Sequence, residues 1–221
     1  MRTEDLVQSL SDNATPVRRL AHPAWRTALW LSVSLVYFAL VLAIVGLRED
    51  LASRLEDPRF IIEVSAALLT SMMAAAAAFC AGCPGRPLWE RFAPFPFLAV
   101  WLASLGEGCW RQWVQTGPDG QLQFDFLCVQ VIFALSLLPA LLILAMIKRG
   151  APIAPMSTTG LATLAATALG AAVLRLFHAQ DVSLMLLVWQ FGSVMVLAGI
   201  GFLLGRVFLR WSAPAVPMTD G

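Results

Sequence analysis

Six long apolar stretches occupy most of the chain between Thr27 and Gly205. A helix rises about 1.5 Å per residue, so about 20 residues cross a hydrocarbon core about 30 Å thick. The stretches run Thr27 to Gly46, Ile61 to Phe79, Phe92 to Trp110, Phe126 to Ile147, Thr158 to Leu174 and Val182 to Gly205, each close to that length. The expected fold is all-α, a polytopic integral membrane helix bundle with six transmembrane helices. Three regions follow: residues 1–26 as a cytoplasmic N-terminal segment with a short amphipathic helix, 27–205 as the six-helix transmembrane domain, and 206–221 as a short cytoplasmic tail.

Composition leads to the same class by a separate route. Hydrophobic residues make up 59% of the chain, charged residues 13%, and mean hydropathy is +0.75. Soluble domains carry roughly 25% charged residues. A net charge of +1 is too small to hold a phosphate backbone, so direct nucleic-acid binding is not expected. No small-residue cleavage pattern follows the first stretch, which reads as an uncleaved signal anchor.

Orientation follows from Lys and Arg, which are retained on the cytoplasmic side. Alternation puts Arg2, Arg18, Arg19, Arg26, Arg86, Arg91, Lys148, Arg149, Arg206 and Arg210 on the N-terminal side, and Arg48, Arg54, Arg59, Arg111 and Arg175 opposite, 10 against 5 of the 15. Both termini are therefore expected in the cytoplasm. Trp30, Trp89, Trp110, Trp113 and Trp211 fall near stretch ends, where an amphipathic indole prefers to sit.

The third stretch is the least regular. It opens Phe92-Ala-Pro-Phe-Pro-Phe and carries Glu107 near its end, so it either spans or re-enters, with spanning preferred. Pro139 is expected to kink the fourth stretch, a distortion that neighbouring helices tolerate. The fifth has a small-residue face, Gly160, Thr163, Thr167 and Gly170, and the sixth a Gly201-Phe-Leu-Leu-Gly205 motif. Small residues let helix backbones approach closely, within one bundle or across a homodimer. The alanine run Ala74 to Ala78 in the second stretch has the same two uses.

No phosphate-binding loop, hydrolase elbow, metalloprotease motif or dinucleotide fingerprint is present, and no stretch has a charge at its centre where ion pathways place them. Neither an enzyme nor a cofactor is expected, and transport ranks low. Glu63, Glu107, Arg175 and His178 lie near stretch ends on the side opposite the N-terminus, where snorkelling to the interface makes them tolerable.

The cysteines divide into pairs. Cys80-Ala-Gly-Cys83 has the spacing of redox and zinc sites, yet no further ligands accompany it, and two small apolar side chains at a helix end explain it as well. Cys109 and Cys128 bracket the loop between the third and fourth stretches, at similar depth on one membrane face. They could form a disulfide, capture a soft metal ion as a sensor pair, or simply serve as small hydrophobes.

The N-terminal segment is the main soluble handle. Thr3 can cap a helix with Glu4 and Asp5 in its first turn, and Leu6, Val7 and Leu10 line one side. Pro16-Val-Arg18-Arg19-Leu20 then brings a basic cluster to the headgroups of the lipid bilayer. The segment is either an anchor or a helix that presents leucines to a partner's groove.

The N-terminal Met1-Arg-Thr-Glu-Asp-Leu-Val-Gln-Ser-Leu, the Pro16-Val-Arg-Arg-Leu motif, and Pro23 with Arg26 directly before six apolar spans resemble the NrsF family. The resemblance implies a multi-pass anti-sigma factor of the bacterial inner membrane, which holds an extracytoplasmic-function (ECF) sigma factor inactive in the cytoplasm until stress arrives. Partner contacts would then fall on Leu6, Val7, Leu10, Arg18 and Arg19. Paired outer cysteines are associated with sensing in the family, and Cys109 and Cys128 are the outer candidates in this chain. The last outer loop, Phe177 to Asp181, has no cysteine, so no pair can reach from the middle loop to it. The competing readings are a membrane thiol-disulfide oxidoreductase and a small membrane transporter.

Overall fold

The computed structural model describes residues 3–12, 20–83, 85–116, 126–150, 154–179 and 183–209; of these, side chains 6, 10, 126–128 and 183 lie outside the description. Its elements are α1 (Thr3–Asp12), α2 (Pro23–Val45), α3 (Leu51–Arg54), α4 (Pro58–Ala81), α5 (Phe95–Thr116), α6 (Phe126–Lys148), α7 (Pro155–Leu174), α8 (Ser183–Met185) and α9 (Gly192–Phe208). A 3₁₀ turn, Leu88–Phe92, leads into α5, and a π-helical turn, Leu186–Phe191, joins α8 to α9. The described residues contain no strand, and six helices are long and apolar enough to cross a membrane. The all-α, six-span fold is as the hydropathy pattern predicts.

Local chemistry sets the helix ends. Pro23 starts α2 at a first-turn position, where its missing N–H costs no bond, and His22 Nδ1 accepts from the Ala24 N–H at 3.3 Å. The helix therefore begins ahead of the predicted Thr27, with Arg26 in its first turn. Gly46 ends the helix at φ 87°, a left-handed conformation that glycine adopts without a Cβ penalty. Asp57 caps α4 by accepting from the Arg59 N–H at 3.0 Å. Helix α5 is continuous over 22 residues, so the third stretch has spanning length despite its prolines. Pro94 precedes it and Pro96 lies in its first turn, where proline is tolerated.

Helix α7 is the central post. Its membrane-spanning window is 83% buried, against 17% for α2. Lipid tails are as apolar as leucine, so what joins helices in a bilayer is close packing and interhelical hydrogen bonding. Ala, Gly and Thr make α7 thin enough to be surrounded. Thr159, Thr163 and Thr167 return their hydroxyls to carbonyls one turn back, on Pro155, Thr159 and Thr163, so they bury no unsatisfied polar group.

The glycine motif of the last stretch packs inside the bundle. A Cβ on Gly205 would lie 2.5 Å from the Pro155 carbonyl oxygen, and one on Gly201 would strike Thr163; Gly160 in turn faces Phe202. Helix α7 thus occupies the close-packing face of α9 that a homodimer would use. The alanine run behaves likewise: Ala74, Ala75, Ala77 and Ala78 are buried, and Ser71 Oγ donates across to the Ala165 carbonyl at 2.7 Å.

Candidate functional site

The face of the bundle opposite the start of α2, here the distal face, is tied together by charge. Arg59 and Glu63 are one turn apart on α4, and Arg59 Nε lies 3.1 Å from Glu63 Oε1. The other carboxylate oxygen lies 3.2 Å from Nη2 of Arg175, the residue that ends α7. Glu63 is 4% exposed and Arg175 7%. Arg175 also stacks over Phe60, 5.1 Å from the ring centre. These two side chains do not snorkel to the interface as their positions in the sequence predict; they turn inward and neutralise one another between helices. The physical reason is mutual proximity. Once α4 begins at Pro58, Glu63 lies more than a turn inside it, facing the end of the central helix, and a buried charge is tolerated only when paired.

Two small cavities flank the cluster. One of about 60 Å³ is lined by Arg54, Asp57, Arg59, Phe60, Glu63 and Arg175. The other, about 10 Å³, is near the size of one water and is bounded by Glu63, Trp101, Arg175 and Gln190 among others. Gln190 belongs to the π-helical turn, and its side-chain amide donates to the Ala171 carbonyl at 2.8 Å. Trp101 of α5 meets Phe191 of the same turn edge to face, with ring centres 5.3 Å apart. Beside the cluster, Arg48 donates to both carboxylate oxygens of Asp50, at 2.6 and 2.8 Å, and its backbone N–H reaches the Leu176 carbonyl at 3.1 Å. The Arg48 guanidinium holds the Asp50 carboxyl well below the usual carboxylate range.

Cys109 sits next to this network. The Arg59 guanidinium rests where a Cβ of the preceding residue, Gly108, would be, and Arg59 Nη2 also donates to the Ser104 carbonyl at 3.3 Å. Cys109 itself is a half-exposed free thiol. Cys128 lies in the first turn of α6, and its side chain is outside the described residues. Glu107 pairs at the surface with Arg111, 2.6 Å away.

At the opposite, proximal end, Cys80 is buried and accepts from Arg86 Nη2 at 3.3 Å, while Cys83 Sγ donates to the Phe79 carbonyl at 3.5 Å. Both are free thiols. Among the described residues, no three His, Cys, Asp or Glu side chains gather as a metal ion would require.

Helix α2 is attached by polar contacts that the sequence reading missed. Arg26 Nη2 donates to the Met146 carbonyl at 2.5 Å, and Trp30 Nε1 to the Pro139 carbonyl at 2.9 Å. Trp30 is fully buried, not interfacial: its indole N–H finds its acceptor on α6, whose apolar surroundings close over the ring. Of the proposed partner-binding residues, Val7 is 60% exposed on α1. Leu6 and Leu10 lie on the same helix with side chains outside the described residues, and Arg18 and Arg19 are outside them entirely.

A family model described as NrsF, negative regulator of sigma F, matches residues 10–211. The chain belongs to the NrsF family. No curated protein and no solved structure matches it. The NrsF match covers all six spans, the distal ion cluster and all four cysteines, and it begins at Leu10, so most of α1 precedes it. As an NrsF protein the chain falls among negative regulators of a sigma factor.

Proposed function

We propose that this protein is a bacterial inner-membrane anti-sigma factor that holds an extracytoplasmic-function sigma factor at the membrane through its N-terminal segment. The observation that carries this reading is the NrsF match over residues 10–211. Positive residues favour the side of the N-terminus, which puts both termini in the cytoplasm. Residues 1–26 then supply the partner-binding surface, 27–205 the membrane domain and 206–221 a tail. Leu6, Val7 and Leu10 would seat in a groove of the sigma factor, with Arg18 and Arg19 adding charge. Helix α1 carries Glu4 and Asp5 in its first turn, favourable at the positive end of its dipole.

Release requires two bundle states that differ in affinity for the signal. Stress sensed on the distal face, at Cys109 and Cys128, would shift α5 against α6. Cys109 follows the glycine on which Arg59 rests, Arg59 pairs with Glu63, and Glu63 pairs with Arg175 at the end of the central helix. Helix α6 holds α2 through Pro139 and Met146, and α2 continues from the N-terminal segment.

Deleting residues 2–14 should abolish co-purification of a sigma factor while the protein still fractionates with membranes. Undiminished capture by the truncated chain would refute the assignment of the N-terminal segment. Exchanging Cys109 and Cys128 for Ser together should flatten the transcriptional response to thiol-reactive stress, and an unaltered induction curve would remove the sensor role.

A further inference from the structure

A guanidinium buried at the end of a membrane-spanning helix pairs with an anion or with backbone carbonyls, because lipid solvates it poorly, and an anion satisfies more of its charge than a carbonyl does. Arg26 is 8% exposed, and its partners are neutral: the Met146 carbonyl at 2.5 Å and the Phe79 ring at 4.4 Å. No carboxylate among the described residues pairs with it. The distal face treats a buried arginine the opposite way, giving Arg175 a carboxylate 3.2 Å away. Arg26 opens instead into a pocket of about 450 Å³ that it lines with Leu20, Trp25, Leu29, Met146 and Arg149. Arg149 is exposed and likewise forms no ion pair among the described residues. The pocket therefore gathers two cations and no acid.

We propose that this pocket binds the headgroup phosphate of an anionic glycerophospholipid from the leaflet that meets the start of α2, with Arg26 and Arg149 as its cationic clamp. The acyl part has a matching track. Trp25, Leu29, Val33 and Val36 are 67%, 49%, 42% and 64% exposed, and their spacing puts them in one stripe along α2. From Trp25 to Val36 the stripe is about 16 Å long, close to half of a hydrocarbon core about 30 Å thick. An exposed indole at its head, on Trp25, sits at the depth that headgroups occupy. A free phosphate would use the clamp and leave this track unused. Arg26 lies on α2 and Arg149 just beyond α6, so one bound phosphate bridges the two helices and fixes where the N-terminal segment leaves the bilayer. The inference needs only a bilayer around the bundle and holds whatever the soluble partner is.

The test uses the full chain in mild detergent, offered equal amounts of dioleoylphosphatidylglycerol and dioleoylphosphatidylcholine, with retained lipid counted by native mass spectrometry. The protein should keep the anionic lipid in preference. R149Q should lower that preference about fivefold, the effect of one basic residue on attraction to an anionic lipid. R149K should preserve it. R206Q, which removes an exposed arginine from the last turn of α9, should leave it intact. Equal retention of the two lipids would overturn the proposal, as would equal losses in R149Q and R206Q, which would mark general surface charge. Displacement of the anionic lipid by millimolar inorganic phosphate would assign the clamp to a small free anion.

Discussion

Helices α7 and α2 both cross the bundle, yet they are held by different physics. The window of α7 is 83% buried, and its end is locked by the pairing of Arg175 with Glu63. The window of α2 is 17% buried, and its polar ties are the two hydrogen bonds from Arg26 and Trp30 to α6. In a bilayer, where apolar burial between helices gains little, that contrast separates a fixed post from a helix that can be displaced. The helix contiguous with the N-terminal segment is the lightly held one.

The contrast is most directly broken at Glu63. E63Q removes the buried carboxylate that Arg59 and Arg175 share and should cost about 3–5 kcal/mol. E107Q, which breaks the exposed pair with Arg111, should cost no more than about 1 kcal/mol. Unfolding midpoints from dodecyl sulfate titration in mild detergent compare them, and equal losses would mean that the distal cluster does not hold the post.

Packing around the post comes next in size. G205A places a Cβ against the Pro155 carbonyl oxygen and should destabilise by about 1–3 kcal/mol. G199A on the same helix meets nothing within 4 Å and should be neutral or gain up to about 1 kcal/mol from helix propensity. The same titration should therefore show a loss for G205A and none for G199A. An undiminished midpoint for G205A would show that α7 and α9 are not in contact there.

W30F should have the smallest effect. It keeps an aromatic ring in the buried site but removes the donor to Pro139, a loss of about 1 kcal/mol. Hydrogen exchange should quicken across residues 23–45 and stay unchanged across 155–174. Uniform quickening would mean that α2 is as integral to the bundle as α7.

Much of the membrane architecture was legible along the chain. Spans, punctuating prolines and the close-packing glycines of α7 and α9 are local in sequence, because lipid imposes a length and a polarity on each segment separately. The partners of the charges were not. Arg59 and Glu63 stand one turn apart and offered a signal, but Arg175 follows 112 residues after Glu63. Trp30 looked interfacial for the same reason: its acceptor is 109 residues away, on α6. The π-helical turn carrying Gln190 has no signature in composition.

The sequence by itself determined that lipid is the solvent, that the fold is helical and that six segments cross, since each follows from the transfer of individual side chains and backbone groups out of water. Tertiary structure alone decided which helix is the post, which charges are neutralised inside the bundle, and which cation at the start of α2 faces a pocket without an acid. Those outcomes depend on pairs of groups brought together by packing, and a guanidinium's environment is a property of its neighbours in space rather than of its position in the chain.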